Sequence, residues 1–251
     1  MYHGGAAPLP TSVALTTWAL AAATFFAVGL TVGGLAGNAL AQVVGLALVP
    51  LAVLRVHAVP LAALGLALPR GRALAGAALA GACTWYLALQ VAVPIIELTG
   101  RHQAVRDASR AVTGDGAALP WVLIASALAP GLCEELLHRG VLLPALRARA
   151  GAVAALVTST ALFAVMHLEP ARIAATALIG LVAGVLALAT RSLWPAVTLH
   201  VVNNTAALLV GTGQLPALSR HLAAHPHAAL ALALLGTLAG LALARPGPQR
   251  S

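Results

Sequence analysis

Eight stretches of the chain stay apolar over roughly the length that crosses a bilayer: 13–34, 38–54, 73–98, 119–143, 151–167, 172–189, 193–211 and 228–244. A span needs about 20 mostly apolar residues, because the hydrocarbon layer is ~30 Å thick and a helix rises ~1.5 Å per residue. The longest polar connection runs from Thr99 to Ala118 and carries Arg101, Arg106, Asp107, Arg110 and Asp115. It separates the first three spans from the rest. His57 to Arg72, with Pro60, Pro69, Arg70 and Arg72, reads as a short interfacial segment. The pattern predicts an all-α polytopic membrane protein of about eight transmembrane helices, without internal repeat or soluble domain. Every strong polar constellation falls within 119–211. The single membrane domain therefore divides into accessory helices over 1–98, a four-helix core over 119–211 and a C-terminal helix over 228–244.

Composition strengthens this reading. The chain is 61% hydrophobic and 8% charged, with mean hydropathy +0.95, which excludes an ordinary water-soluble domain. Aromatic residues make up only 4%, so the helix contacts fall to small residues that let backbones approach closely. The net charge of +8 comes from fourteen arginines and no lysine, spread over the connections. That distribution fits membrane topology and lipid headgroups as partners, and no nucleic acid. Alternating sides along the chain places Arg55, Arg70, Arg72, Arg147, Arg149, Arg191, Arg245 and Arg250 with both termini. Arg101, Arg106, Arg110, Arg172 and Arg220 lie opposite, and Arg139 is inside a helix. The excess predicts cytoplasmic termini. The N-terminus lacks a basic n-region and its first apolar run is too long for a signal peptide, so the first helix is expected to be retained. Cys83 and Cys133 match no metal or disulfide spacing and read as small buried residues.

Against this background the adjacent Glu134 and Glu135 stand out, being two of only six acidic residues and lying in the middle of an apolar stretch. A charge near a bilayer centre costs at least ~2.5–3.5 kcal/mol and marks a functional site by default. Neighbours on a helix diverge by ~100°, so the two carboxylates point to different sides. Arg139 follows Glu135 by four, which predicts a Glu135–Arg139 ion pair and leaves Glu134 free for other partners. His138, four residues beyond Glu134, is within hydrogen-bonding reach of it. Two further polar groups interrupt apolar helices: His167, with Phe163 four positions earlier on its face, and His200, with Asn204 at i+4 and Asn203 less well aligned. One carboxylate, two imidazoles and a carboxamide suit hydrolysis of a peptide bond. The carboxylate takes a proton from water, an imidazole orients that water, and donors hold the oxyanion. Glu134, His167 and His200 are equally a zinc-hydrolase ligand set with an open fourth position, so the residues leave zinc and no metal both open.

These motifs carry a resemblance. Glu134-Glu135-Leu-Leu-His-Arg139 resembles EExxxR, Phe163-Ala-Val-Met-His167 resembles FxxxH, and His200-Val-Val-Asn-Asn204 resembles HxxxN. In this order within apolar helices, they are similar to the CAAX prenyl protease and bacteriocin-processing (CPBP, or Abi) family of intramembrane proteases, over roughly 119–211. The resemblance implies that Glu134 and His167 activate water, that His200 and Asn204 stabilise the oxyanion, and that Glu135 and Arg139 shape the site. The family has been described both as metalloprotease and as glutamate-dependent protease. At His138 the chain departs from the aromatic, commonly Phe, that the family carries before the arginine.

The expectation is therefore an intramembrane endopeptidase in a bacterial plasma membrane, cleaving a membrane-associated peptide or a lipid-modified protein. An ion-coupled transporter using Glu and His as a proton relay, and a catalytically silent scaffold or immunity protein, are the alternatives. Pro130 and Pro144 are expected to kink or end the Glu helix. Glu169-Pro170 marks the start of the next helix. Glu97 and Asn38 read as span-end residues near headgroups, and His221, His225 and His227 as surface histidines.

Overall fold

The computed structural model describes residues 7–114 and 116–245; Asp115 and Arg250, both used in the charge reading, lie outside the described residues, as do residues 1–6 of the N-terminal reading. Among the described residues the chain is helical throughout. Its helices are α1 (Thr11–Val32), α2 (Gly34–Val56), α3 (Gly71–Thr99), α4 (His102–Thr113), α5 (Leu119–Val165), α6 (Pro170–Thr190), α7 (Trp194–Gly211), α8 (Pro216–Ala224) and α9 (Pro226–Ala244). Six are long and apolar enough to cross a membrane: α1, α2, α3, α5, α6 and α9. The stretches 119–143 and 151–167 correspond to the two limbs of α5, 119–150 and 152–165, which part at Gly151, where φ is +80° and ψ 175°. The stretch 193–211 is helical as α7, but His200, Asn203 and Asn204 dilute its apolarity.

The second limb of α5, residues 152–165, is short: it rises only ~21 Å at ~1.5 Å per residue, against ~30 Å of hydrocarbon. It leads into the turn 166–169, where Leu168 adopts φ +59° and Glu169 caps α6 by accepting the Arg172 N–H at 2.9 Å. His167 is thereby at a helix end.

Prolines 130 and 144 do not end the Glu helix. Each follows a widened, π-helical turn, Ile124–Leu128 before Pro130 and Leu136–Leu142 before Pro144, and Gln42–Leu48 stands in the same relation to Pro50. Proline has no N–H to donate and its ring crowds the carbonyl four residues back, so widening the preceding turn accommodates both defects without breaking the helix.

Helix α3 runs through the centre and packs against α6, α7 and α9. Small residues set the spacing. A Cβ on Gly131 of α5 would collide with Val201 of α7, so these two helices meet closely one turn from the glutamates. Hydrogen bonds tie together the helix ends that the arginine alternation groups. Thr11 Oγ1 donates to Ala145 O at 2.9 Å, Ser192 Oγ to Ala67 O at 2.8 Å, and Arg72 Nη2 to Arg245 O at 2.9 Å. On the opposite end, Arg101 Nε lies 3.4 Å from Glu169 Oε1.

Candidate active site

The wide turn Leu136–Leu142 and the turn before it direct four polar side chains of α5 into the protein. Glu135 and Arg139 are 0% and 1% exposed and pair at 3.1 Å through Nη1 and Oε1, as the i,i+4 spacing predicts. Arg139 Nη2 also donates to Gly180 O at 2.7 Å, and its guanidinium lies 4.6 Å over the Phe163 ring. The absence of a side chain at Gly180 is required, since a Cβ there would come within 2.8 Å of Phe163 and 3.1 Å of Arg139. Glu135 Oε1 has a second partner, His200 Nδ1, at 2.8 Å. A carboxylate only accepts, so His200 carries a hydrogen on Nδ1 and presents Nε2 elsewhere. That atom lies 3.9 Å from Glu134 Oε2.

Glu134 points away from Glu135, as neighbours on a helix must. Its Oε1 accepts from Gln42 Nε2 at 2.8 Å, and its Oε2 has no hydrogen-bond partner among the described residues. Gln42 is 2% exposed and comes from α2. Sequence reasoning passed over it. The signal was a second carboxamide inside the apolar stretch 38–54, one turn after Asn38. The Nδ2 of Asn38 donates to Ala125 O at 3.1 Å, clamping α2 to α5.

His138 does not reach the Glu134 carboxylate. Trp18 Nε1, which can only donate, lies 3.3 Å from His138 Nε2, so His138 carries its proton on Nδ1 and donates it to the Glu134 backbone carbonyl at 2.8 Å. Both ring nitrogens are thus occupied, which removes His138 from the chemistry. Phe163 stands edge-on to His138, His167 and His200, with ring centroids 5.1, 5.4 and 5.8 Å away. His167 Nδ1 lies 3.3 Å from Phe163 O, an acceptor, so its free Nε2 is a lone pair.

Asn204 departs from the expected arrangement. Its Nδ2 donates to Ser126 O at 3.2 Å and its Oδ1 accepts from Asn203 Nδ2 at 3.1 Å, so its amide hydrogens are in part already committed to backbone. Asn203, the less well aligned of the two by spacing, is the more buried, and its Oδ1 has no partner among the described residues.

Glu134, His167, His200, Asn203 and Asn204 line one cavity of about 700 Å³, together with Gln42 and Arg172. Arg172, read from sequence as a connection residue, therefore faces the cavity. Glu169, the nearest carboxylate in sequence, is engaged by Arg101 and by the Arg172 backbone. Towards α1, α3 and the end of α7 the cavity wall is apolar, with Phe25, Phe26, Trp85, Leu89 and Leu208. Such a chamber suits a greasy peptide lying against a small polar head.

The zinc set does not assemble. Among the described residues no three His, Cys, Asp or Glu side chains gather closely enough to hold a metal ion. Glu135 takes one nitrogen of His200, Gln42 one oxygen of Glu134, and a backbone carbonyl one nitrogen of His167, and each contact leaves the other atom of its group open. The remaining histidines add nothing to it. His221 and His225 face each other at 4.9 Å on the exposed surface of α8 and the turn after it. Cys133 is buried as expected and Cys83 half-buried.

The model of a family described as type II CAAX prenyl endopeptidase Rce1-like matches residues 116–206, which covers α5, α6 and most of α7. No curated protein and no solved structure matches the chain.

Proposed function

We propose, from the match of residues 116–206 to the Rce1-like family model, that this chain is a metal-independent intramembrane endopeptidase. It cleaves a membrane-associated peptide or lipid-modified protein in a bacterial plasma membrane. One observation carries the reading. The unpartnered Glu134 Oε2 faces His200 Nε2 at 3.9 Å on the wall of a cavity large enough for a peptide. That spacing lets a single water touch both atoms at ordinary hydrogen-bond lengths of ~2.8 Å.

Glu134 takes one proton from this water as its oxygen attacks the peptide carbonyl carbon. His200, charged through protonation of Nε2 and anchored to Glu135 through Nδ1, donates to the oxyanion, supported by the adjoining carboxamides of Asn203 and Asn204. The proton held on Glu134 then passes to the leaving nitrogen as the C–N bond breaks, releasing a carboxylic acid, which keeps the second water proton, and an amine. His167 contributes an imidazole lone pair at the cavity wall that helps orient the water. The Glu135–Arg139 pair acts through His200 and does not touch substrate.

The test is cleavage of a library of internally quenched, N-acylated peptides by protein reconstituted in liposomes. Glu134→Gln and His200→Ala are each expected to reduce kcat by at least ~10²-fold, in the range for loss of a general base or an oxyanion donor, with membrane insertion unchanged. A chelator is expected to leave the wild-type rate unaltered. Full activity in both variants refutes the peptidase assignment, and a chelator-sensitive rate refutes its metal independence.

A further inference from the structure

We infer that Gln42, on a helix outside the stretch that matches the protease family, is a positioning residue of the active site, holding the Glu134 carboxylate so that one chosen oxygen meets water. The inference rests on the peptidase reading of that site and deepens it.

The carboxamide is 2% exposed and buried between apolar neighbours, where a polar side chain without a partner is costly. Its Nε2 donates to Glu134 Oε1 at 2.8 Å, a charge-assisted contact. Two consequences follow from geometry. First, Oε1 is committed and Oε2 is not, so the carboxylate is locked with Oε2 toward His200 Nε2. Second, Gln42 Oε1, an acceptor, is buried and also lacks a partner among the described residues, on a residue that lines the same cavity. An acceptor there is suited to the second hydrogen of the attacking water, turning a lone pair toward the substrate carbonyl.

The local backbone supports a dedicated placement. Gln42 opens the π-helical turn Gln42–Leu48, and such turns are frequent at functional sites because they re-aim side chains. One turn earlier, Asn38 donates to Ala125 O, so two successive carboxamides of α2 grip α5 on either side of Pro130. A residue that merely filled space would be apolar in this setting, as its neighbours Ala41 and Leu46 are.

The experiment uses the full chain in liposomes with the same quenched peptides. Gln42→Met keeps length and bulk while removing both polar atoms, and Gln42→Asn keeps a carboxamide but withdraws it by one methylene. Both variants are expected to lower kcat by about 10–100-fold with KM within twofold of wild type, and to increase the solvent deuterium isotope effect on kcat as proton transfer from water becomes limiting. Insertion is expected to stay at the wild-type level, with a modest fall in melting temperature as the buried Glu134 Oε1 loses its donor. Undiminished kcat in Gln42→Met overturns the inference while leaving the peptidase reading intact. So does a kcat loss without a change in isotope effect. Wild-type protein that cleaves none of the peptides overturns the reading and the inference with it.

Discussion

Glu134 and Glu135 are chain neighbours with opposite fates, and the difference is set by their partners. Glu135 is fully enclosed and its Oε1 accepts from both Arg139 at 3.1 Å and His200 at 2.8 Å, while its Oε2 has no hydrogen-bond partner among the described residues. Stripping one member of such a buried pair leaves an uncompensated charge and costs roughly 3–5 kcal/mol, whereas removing both with apolar groups of similar size is often close to neutral. Arg139→Met is therefore expected to lower the melting temperature sharply, and Glu135→Leu/Arg139→Met to recover most of that loss. The double variant stays inactive, because His200 no longer has the carboxylate that fixes its ring. Thermal unfolding in detergent and the peptide assay measure the two effects separately. The Glu135–Arg139 pair was legible in the sequence because i,i+4 spacing puts both side chains on one face. The role of Gln42 was not, since it depends on a hydrogen bond between residues 92 positions apart. The commitment of Asn204 to Ser126, on another helix, was hidden for the same reason.

At the scale of elements, the three π-helical turns link a sequence feature to the site. Each lies just before a proline, at 50, 130 and 144, and between them they contain Gln42, Ser126, His138 and Arg139. A proline inside a helix costs ~3 kcal/mol or more relative to alanine, and here that penalty is relieved by an extra residue per turn, which rotates the preceding side chains. Pro144→Ala is expected to let Leu136–Leu142 rewind toward ordinary helix, raising the melting temperature while lowering kcat at least ~10-fold, the usual stability–activity opposition. A variant that gains stability and keeps full activity would mean the wide turn does not aim Arg139 and His138. The hydropathy pattern located every helical stretch of the core. It could not show that prolines 130 and 144 bend side-chain direction without ending a helix. Nor could it show that the limb 152–165 ends in a turn that leaves His167 on the wall of the cavity that Glu134 lines.

At the scale of the whole molecule, the helices over 1–98 reach into the polar centre carried by 119–211. Residues 116–206 carry the family match, yet Glu134 is held by Gln42 of α2 and His138 by Trp18 of α1, and α3 occupies the centre between α6, α7 and α9. Cut out alone, the segment 116–211 would expose the faces that α3 and α2 cover and lose the donor that orients its glutamate. The connection between the halves, by contrast, runs through α4, whose described surface residues are mostly exposed. Interlocking halves joined by a peripheral connection are expected to fold together without a covalent link. Residues 1–113 and 116–251 produced as two chains in one membrane should therefore copurify and cleave peptide within about tenfold of the intact protein, while either piece alone should be inactive. Repeating the complementation with Gln42→Met in the first piece should give an assembled but slow enzyme, which separates the packing contribution of the N-terminal helices from their chemical one. Activity from residues 116–251 alone would show that the site is complete without α1, α2 and α3.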